Sequence, residues 1–141
     1  MGNKKGQIGA IVVIVMLVIL AIWAYYSIKD ALTDVKVSMN FDNSKISSGH
    51  STKLRVTIEN NRDEPLEAIV TVKPETGSEG YVSITTNENT NIKLGSKGSS
   101  QTLTFIVTGT AGVTVEPKID AIVTSKNGKS VSQQATLRIE V

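Results

Sequence analysis

Two hydrophobic rhythms divide the chain. Residues 8–26 read IGAIVVIVMLVILAIWAYY, nineteen positions without a charge. At a 1.5 Å rise per residue a helix of that length covers about 28 Å, close to the hydrocarbon thickness of a bilayer. The Val and Ile content favours strand in water, but a lone strand in lipid leaves its backbone groups unpaired, so the run predicts a transmembrane helix. From Val35 onward the period falls to two. Val35, Val37, Met39 and Phe41 alternate with Lys36, Ser38 and Asn40, the mark of a half-buried strand. Further strands are predicted over Lys53–Glu59, Leu66–Val72, Tyr81–Thr85, Ile92–Leu94, around Leu103, Phe105 and Val107, over Lys118–Ser125, and from Ala135 to Val141. Turn residues separate them at Asp42–Ser44, Asn60–Pro65, Gly77–Gly80 and Gly95–Gly98. Asn127-Gly128 is a hairpin signal for a type I′ turn, in which both central residues take positive φ.

Seven or eight short strands, each with one apolar face, predict an antiparallel β-sandwich. The fold class expected is therefore mainly β: a single N-terminal transmembrane helix followed by an antiparallel β-sandwich. Three segments follow: a basic leader at 1–7, the helix and a short stalk at 8–34, and the sandwich at 35–141. The stalk helix is expected to break near Thr33 or Asp34. Aromatics are 4% of the chain, so the core must be aliphatic.

Charge orients the helix. Lys4 and Lys5 flank its start, whereas Lys29 beyond its end is offset by Asp30 and Asp34. The lysine bias puts the N-terminus in the cytoplasm and the sandwich outside the cell membrane, in a single pass. Trp23, Tyr25 and Tyr26 stand where an interfacial aromatic belt would form. Net charge is +2 and no basic face emerges, which argues against nucleic acid as a partner.

Most chemistry lacks raw material. The chain has no cysteine and one histidine, His50, which excludes disulfides, thiolate metal sites, a Cys nucleophile and a multi-His metal site. Asp63, Glu64 and Glu67 read as a solvated bend beside Arg62. Asp42, Asn43, Asp63 and Glu64 offer oxygens for calcium across strand ends, but no Asp-x-Asp-x-Asp-Gly run supports such a site. No Walker loop, dinucleotide fingerprint or Asn-x-Ser/Thr acceptor occurs. No catalytic residue, metal or cofactor is expected, and the chain is not read as an enzyme. Lys53, Arg55, Lys73 and Lys93 are expected to protect sheet edges.

Two segments resemble known families. Lys4-Lys5-Gly6-Gln7, directly before the apolar helix, resembles the class III signal peptide of archaeal pilins and archaellins. The resemblance implies cleavage between Gly6 and Gln7, retention of the helix, self-assembly through it, and an archaeal source. Gly9 and Ala10 match the small residues early in archaellin-like helices. Ile11 departs from the pattern, since bacterial pilins carry Glu there; archaellins lack that Glu too. An unprocessed membrane anchor and a cleaved secretory signal are the other readings of the same segment. The second resemblance covers about 85 residues. Thr57–Leu66, and Leu94–Ser99 followed by Leu103-Thr104-Phe105, resemble the bends of CARDB- and NEW3-type extracellular Ig-like domains. Together they imply a non-enzymatic envelope protein: a structural or accessory subunit of a pilin- or archaellum-like filament, with lipid, surface-layer or filament proteins as partners. The alternative is a membrane-anchored Ig-like module that binds an extracellular protein or glycan.

Overall fold

The computed structural model describes residues 15–20 and 32–141. The chain divides into two compact units, Met1–Ala31 and Leu32–Val141. In the first unit, residues 15–20 are helical, and all six apolar side chains, from Val15 to Leu20, are more than half exposed. Among the described residues no helix is long and apolar enough to cross a membrane. Lys4, Lys5, Gly6, Gln7, Trp23, Tyr25 and Tyr26, with the rest of the apolar run, lie outside the described residues.

The second unit is a β-sandwich. Ten strands form in chain order: β1 Val35–Phe41, β2 Lys45–Ser47, β3 Ser51–Asn60, β4 Leu66–Pro74, β5 Val82–Thr85, β6 Asn91–Leu94, β7 Ser99–Gly109, β8 Lys118–Ser125, β9 Ser130–Thr136 and β10 Arg138–Glu140. One antiparallel sheet runs β1-β3-β7-β5 and the other β6-β4-β8-β9, while β2 and β10 pair in parallel as a small third sheet. Alternation explains the layers. Leu54, Val56 and Ile58 of β3 and Leu103, Phe105 and Val107 of β7 bury one face. Leu66, Ala68 and Val70 of β4 and Ile119, Ala121 and Val123 of β8 bury the other, and all join one core. Phe105 is the one aromatic among these buried hydrophobics, so aliphatic packing carries the stability.

The structure corrects several sequence expectations. Ten strands replace seven or eight, because β2 is too short to show a period and the last expected strand divides in two. The run expected as one strand from Ala135 to Val141 splits. β9 stays on the sheet beside β8, whereas Arg138–Glu140 crosses to β2, because buried Leu137 donates its N–H to the Pro117 carbonyl at 3.0 Å and ends the β8–β9 ladder. Leu32, just ahead of β1, is buried in the core, and its N–H donates to the Ser130 carbonyl at 3.0 Å. The Asn127-Gly128 turn is not type I′. Only Gly128 has positive φ, at 83°. Its N–H donates to the Ser125 carbonyl at 2.9 Å, and the Ser125 N–H donates to Lys129 at 2.7 Å. That is a three-residue loop whose last residue takes the left-handed conformation. Lys53 and Arg55 lie on β3, an interior strand, and do not protect an edge. Lys93 stands on β6, an edge strand, and Lys73 stands on β4 past the end of its ladder with β6, where β4 pairs with β8 alone.

Candidate interaction surface

The outer face of the β6-β4-β8 sheet carries a groove of about 610 Å³. Register builds it. Ile69 of β4 stands between Asn91 of β6 and Thr124 of β8, and Glu67 stands opposite Lys93. Inward positions of β4 go to Leu66, Ala68 and Val70, so Ile69 is left outside, 53% exposed. The Glu67 carboxylate holds Lys126 Nζ at 3.2 Å and Lys93 Nζ at 3.8 Å. The Lys126 N–H donates to the Glu67 carbonyl at 3.1 Å, which fixes the β8–β9 turn against β4. Two cations sharing one carboxylate leave the rim with one unit of positive charge. Exposed pairs of this kind contribute at most about 1 kcal/mol to stability, so their main effect is on what can approach. The Ser125 hydroxyl lies buried beneath this wall without a hydrogen-bond partner.

The sequence-predicted polar residues are not gathered into a site. Asp42 pairs with Arg55 at 3.2 Å, at the end of β1 away from Val35. Asp63 pairs with Lys97 at 3.2 Å and Glu64 with Arg62 at 3.2 Å, both past the opposite end of the β1–β3 ladder. A seven-residue ladder separates the two groups by roughly 20 Å, so they do not share a calcium ion. The described residues contain no group of three or more His, Asp or Glu placed to hold a metal ion. His50 is exposed in a tight turn, donating its N–H to Ser47 at 3.0 Å and accepting from the Gly109 N–H at 3.0 Å.

A second cluster fastens the small parallel sheet. Arg138 donates to Glu116 at 2.8 Å and to Glu140 at 3.0 Å, and Lys45 approaches Glu140 at 3.2 Å. The Arg138 hydrogen bond, with that of Lys45 second, lowers the Glu140 pKa below the ordinary carboxylate value. The same bond to Glu140, then that to Glu116, raises Arg138.

Sequence reasoning missed the groove, although one signal was present: Ile69 breaks the alternation of Leu66, Ala68, Val70 and Val72. The rest of the groove depends on which strands become neighbours.

No family model and no curated protein matches the sequence. Solved structures resemble the sandwich. Escherichia coli α2-macroglobulin in its native conformation superposes with a TM-score of 0.63 at 18% identity over 77% of this chain. This chain spans only 7% of that protein's length. A FixG-related protein from Vibrio parahaemolyticus aligns along its whole length with 78% of this chain, at TM-score 0.55 and 13% identity. The cupredoxin domain of AmoB from Nitrosocaldus yellowstonii reaches 0.56 at 5% identity, covering 79% of this chain and 90% of that one. At these identities the likeness is one of fold. A blue-copper site takes a thiolate and two imidazoles, and this sequence has no cysteine and one histidine.

Proposed function

We propose that this chain is a non-enzymatic cell-envelope protein: a single-pass membrane protein whose N-terminus is cytoplasmic and whose Ig-like sandwich stands outside, serving as a structural or accessory subunit of a pilin- or archaellum-like filament. The observation that carries this reading is the uncharged run at 8–26, preceded by Lys4-Lys5-Gly6-Gln7. The exposed apolar side chains of residues 15–20 suit contact with lipid or with a neighbouring helix. The Ig-like assignment is supported by strand order. β1-β3-β7-β5 against β4-β8-β9 follows the A-B-E-D and C-F-G sheets of immunoglobulin sandwiches, with β6 added beside β4.

N-terminal sequencing of the native protein from carbonate-washed membranes tests the proposal. A start at Gln7 and recovery in sheared filaments are the results expected. A start at Met1 or Gly2, with no chain in the sheared fraction, removes the filament subunit and leaves a simple anchor. A chain recovered without detergent removes both.

The groove around Ile69 favours a second reading, an anchored module that binds an extracellular partner. An apolar floor with a cationic rim suits an extended segment carrying a carboxylate. Lys93→Glu combined with Lys126→Glu reverses the rim charge, and partner capture from cell envelopes falls if this reading holds.

A further inference from the structure

The end of the sandwich at which the chain enters carries its charge unevenly. Leu32 and Asp34 meet three loops there, residues 61–65, 95–98 and 126–129. Asn61 donates its N–H to the Asp34 carbonyl at 2.8 Å, Lys97 donates to the Arg62 carbonyl at 2.8 Å, and the Ser130 carbonyl that holds Leu32 adjoins Lys129. Asp34 takes a left-handed φ of 58°, so the chain turns into β1 at a fixed point. On the β1–β3 side stand Asp34, Asp63 and Glu64 with Arg62 and Lys97, an excess of one negative charge. On the side of the other sheet stand Lys93, Lys126 and Lys129 with Glu67, an excess of two positive charges.

These lysines are accessible. The side chains of Lys93 and Lys126 are 84% and 82% exposed, and both lean on the single carboxylate of Glu67. Exposed pairs of that kind are weak and give way to a stronger anion. Chain length then limits where this end can be. In the anchored reading the apolar run ends at the bilayer surface with Tyr26, and Leu32 lies six residues beyond it. Six residues reach at most about 22 Å when fully extended. Leu32 is buried and hydrogen-bonded, so no slack follows it. Its end of the sandwich is the one tethered near the headgroups. Electrostatic attraction fades over roughly 10 Å at moderate salt, so Glu75, Glu79 and Glu116, at the other end of the strands, do not offset it.

We infer that the side of this end bearing Lys93, Lys126 and Lys129 docks on anionic lipid headgroups and tilts the sandwich toward its β6-β4-β8-β9 sheet. A lysine ammonium binds a headgroup phosphate as a point charge, and basic residues close to an anionic surface add their attractions. The half bearing Asp34, Asp63 and Glu64 is repelled by the same surface, which gives the docking a direction. This docking rests on the anchored reading, which supplies the short tether.

The absence of cysteine allows single fluorescent labels to be placed in the full-length protein, reconstituted in nanodiscs. Asn127→Cys reports on the lysine side and Asn61→Cys on the acidic side, and both positions are exposed. Lipid carrying a headgroup nitroxide quenches a label that comes close to the surface. Replacing phosphatidylcholine with phosphatidylglycerol is expected to raise quenching several-fold at Asn127→Cys and not at Asn61→Cys. Salt at about 1 M, which cuts the screening length to roughly 3 Å, is expected to erase the gain. Lys93→Gln combined with Lys126→Gln and Lys129→Gln is expected to do the same. Quenching that ignores lipid charge, or that rises equally at both labels, overturns the docking. The salt comparison keeps all three lysines, so it decides even where the triple variant fails to fold. Carbonate extraction of the parent chain reports on anchoring separately. An extractable chain sinks the anchored reading and the tether with it, whereas a membrane-held chain with charge-independent quenching sinks the docking alone.

Discussion

The Asn60 amide donates to the Gly95 carbonyl at 2.8 Å, joining the end of β3 to the turn that follows β6 on the other sheet. The same nitrogen donates to the Glu64 carbonyl at 2.8 Å, and the side-chain oxygen accepts from the Arg62 N–H at 3.2 Å. The backbone carbonyl of Asn60 accepts from the Gly98 N–H at 2.8 Å. Asn60 is fully buried, so one side chain satisfies two loops that would otherwise present unpaired carbonyls to the core. Asn60→Ala is expected to cost about 2–4 kcal/mol, since it strands those acceptors. Asn60→Asp is expected to cost at least as much, because it turns a carboxylate oxygen toward two carbonyls. Urea denaturation of both variants measures the loss.

Gly109 shows how the last strand is seated. A Cβ there would meet three carbons of Ile139, the nearest at 3.1 Å. Both Ile139 and its neighbour Leu137 are fully buried, so the contact has little room to relax. Gly109→Ala is expected to destabilise by about 1–3 kcal/mol. Adding Ile139→Val removes the Cδ1 contact, and a double-mutant cycle should show favourable coupling between the two sites.

The β8–β9 loop separates two turn types. With positive φ at Gly128 alone, Gly128→Ala is expected to cost about 1 kcal/mol, and Asn127→Ala to be near neutral. In a type I′ turn both substitutions would be costly. Thermal melts of the pair decide between them.

Acid should loosen the β2–β10 sheet. Glu140 has a folded-state pKa below its unfolded value, because Arg138 and then Lys45 hold the carboxylate ionised. Its contribution is fully present above the unfolded carboxylate pKa and is lost as pH falls through the folded value. Stability of the parent chain should therefore fall on the acid side of the ordinary glutamate range. Glu140→Gln should flatten that part of a melting-temperature profile taken from pH 7 to pH 2.

Ser125 offers a gain. Its hydroxyl is buried without a partner, opposite Ala68 in the β4–β8 ladder. Ser125→Ala removes an unsatisfied group without disturbing backbone pairing, and is expected to stabilise by about 1 kcal/mol. A raised denaturation midpoint with unchanged m-value is the signature.

The fold was largely legible where alternation was long. β1, β3, β4, β7 and β8 each present at least three apolar residues at spacing two; Val35, Val37, Leu103, Phe105, Val107 and the β3 trio Leu54, Val56 and Ile58 are buried as that spacing expects, whereas Met39 and Phe41 at the far end of β1 are only half-buried. β2, three residues long, had no such signal, and Ile46 becomes a core residue because β10 lies beside it in parallel; Ile139 was expected in a strand, but not in one that leaves the β8–β9 sheet for β2. The surface was less legible. Ile69 was visible as an interruption in the alternation, but its seat between Asn91 and Thr124, and the approach of two lysines to Glu67, follow from pairing residues far apart in sequence.

The sequence by itself determined a long uncharged segment, an aliphatic strand-rich remainder and the absence of thiol and multi-histidine chemistry, because these follow from local periodicity and composition. The tertiary structure decided which strands are interior, where the final strand leaves its sheet, how the Asn-Gly loop turns and which polar residues meet. Those outcomes depend on pairings between residues distant in the chain, where burial and backbone hydrogen bonding across the whole sandwich outweigh what any short stretch prefers.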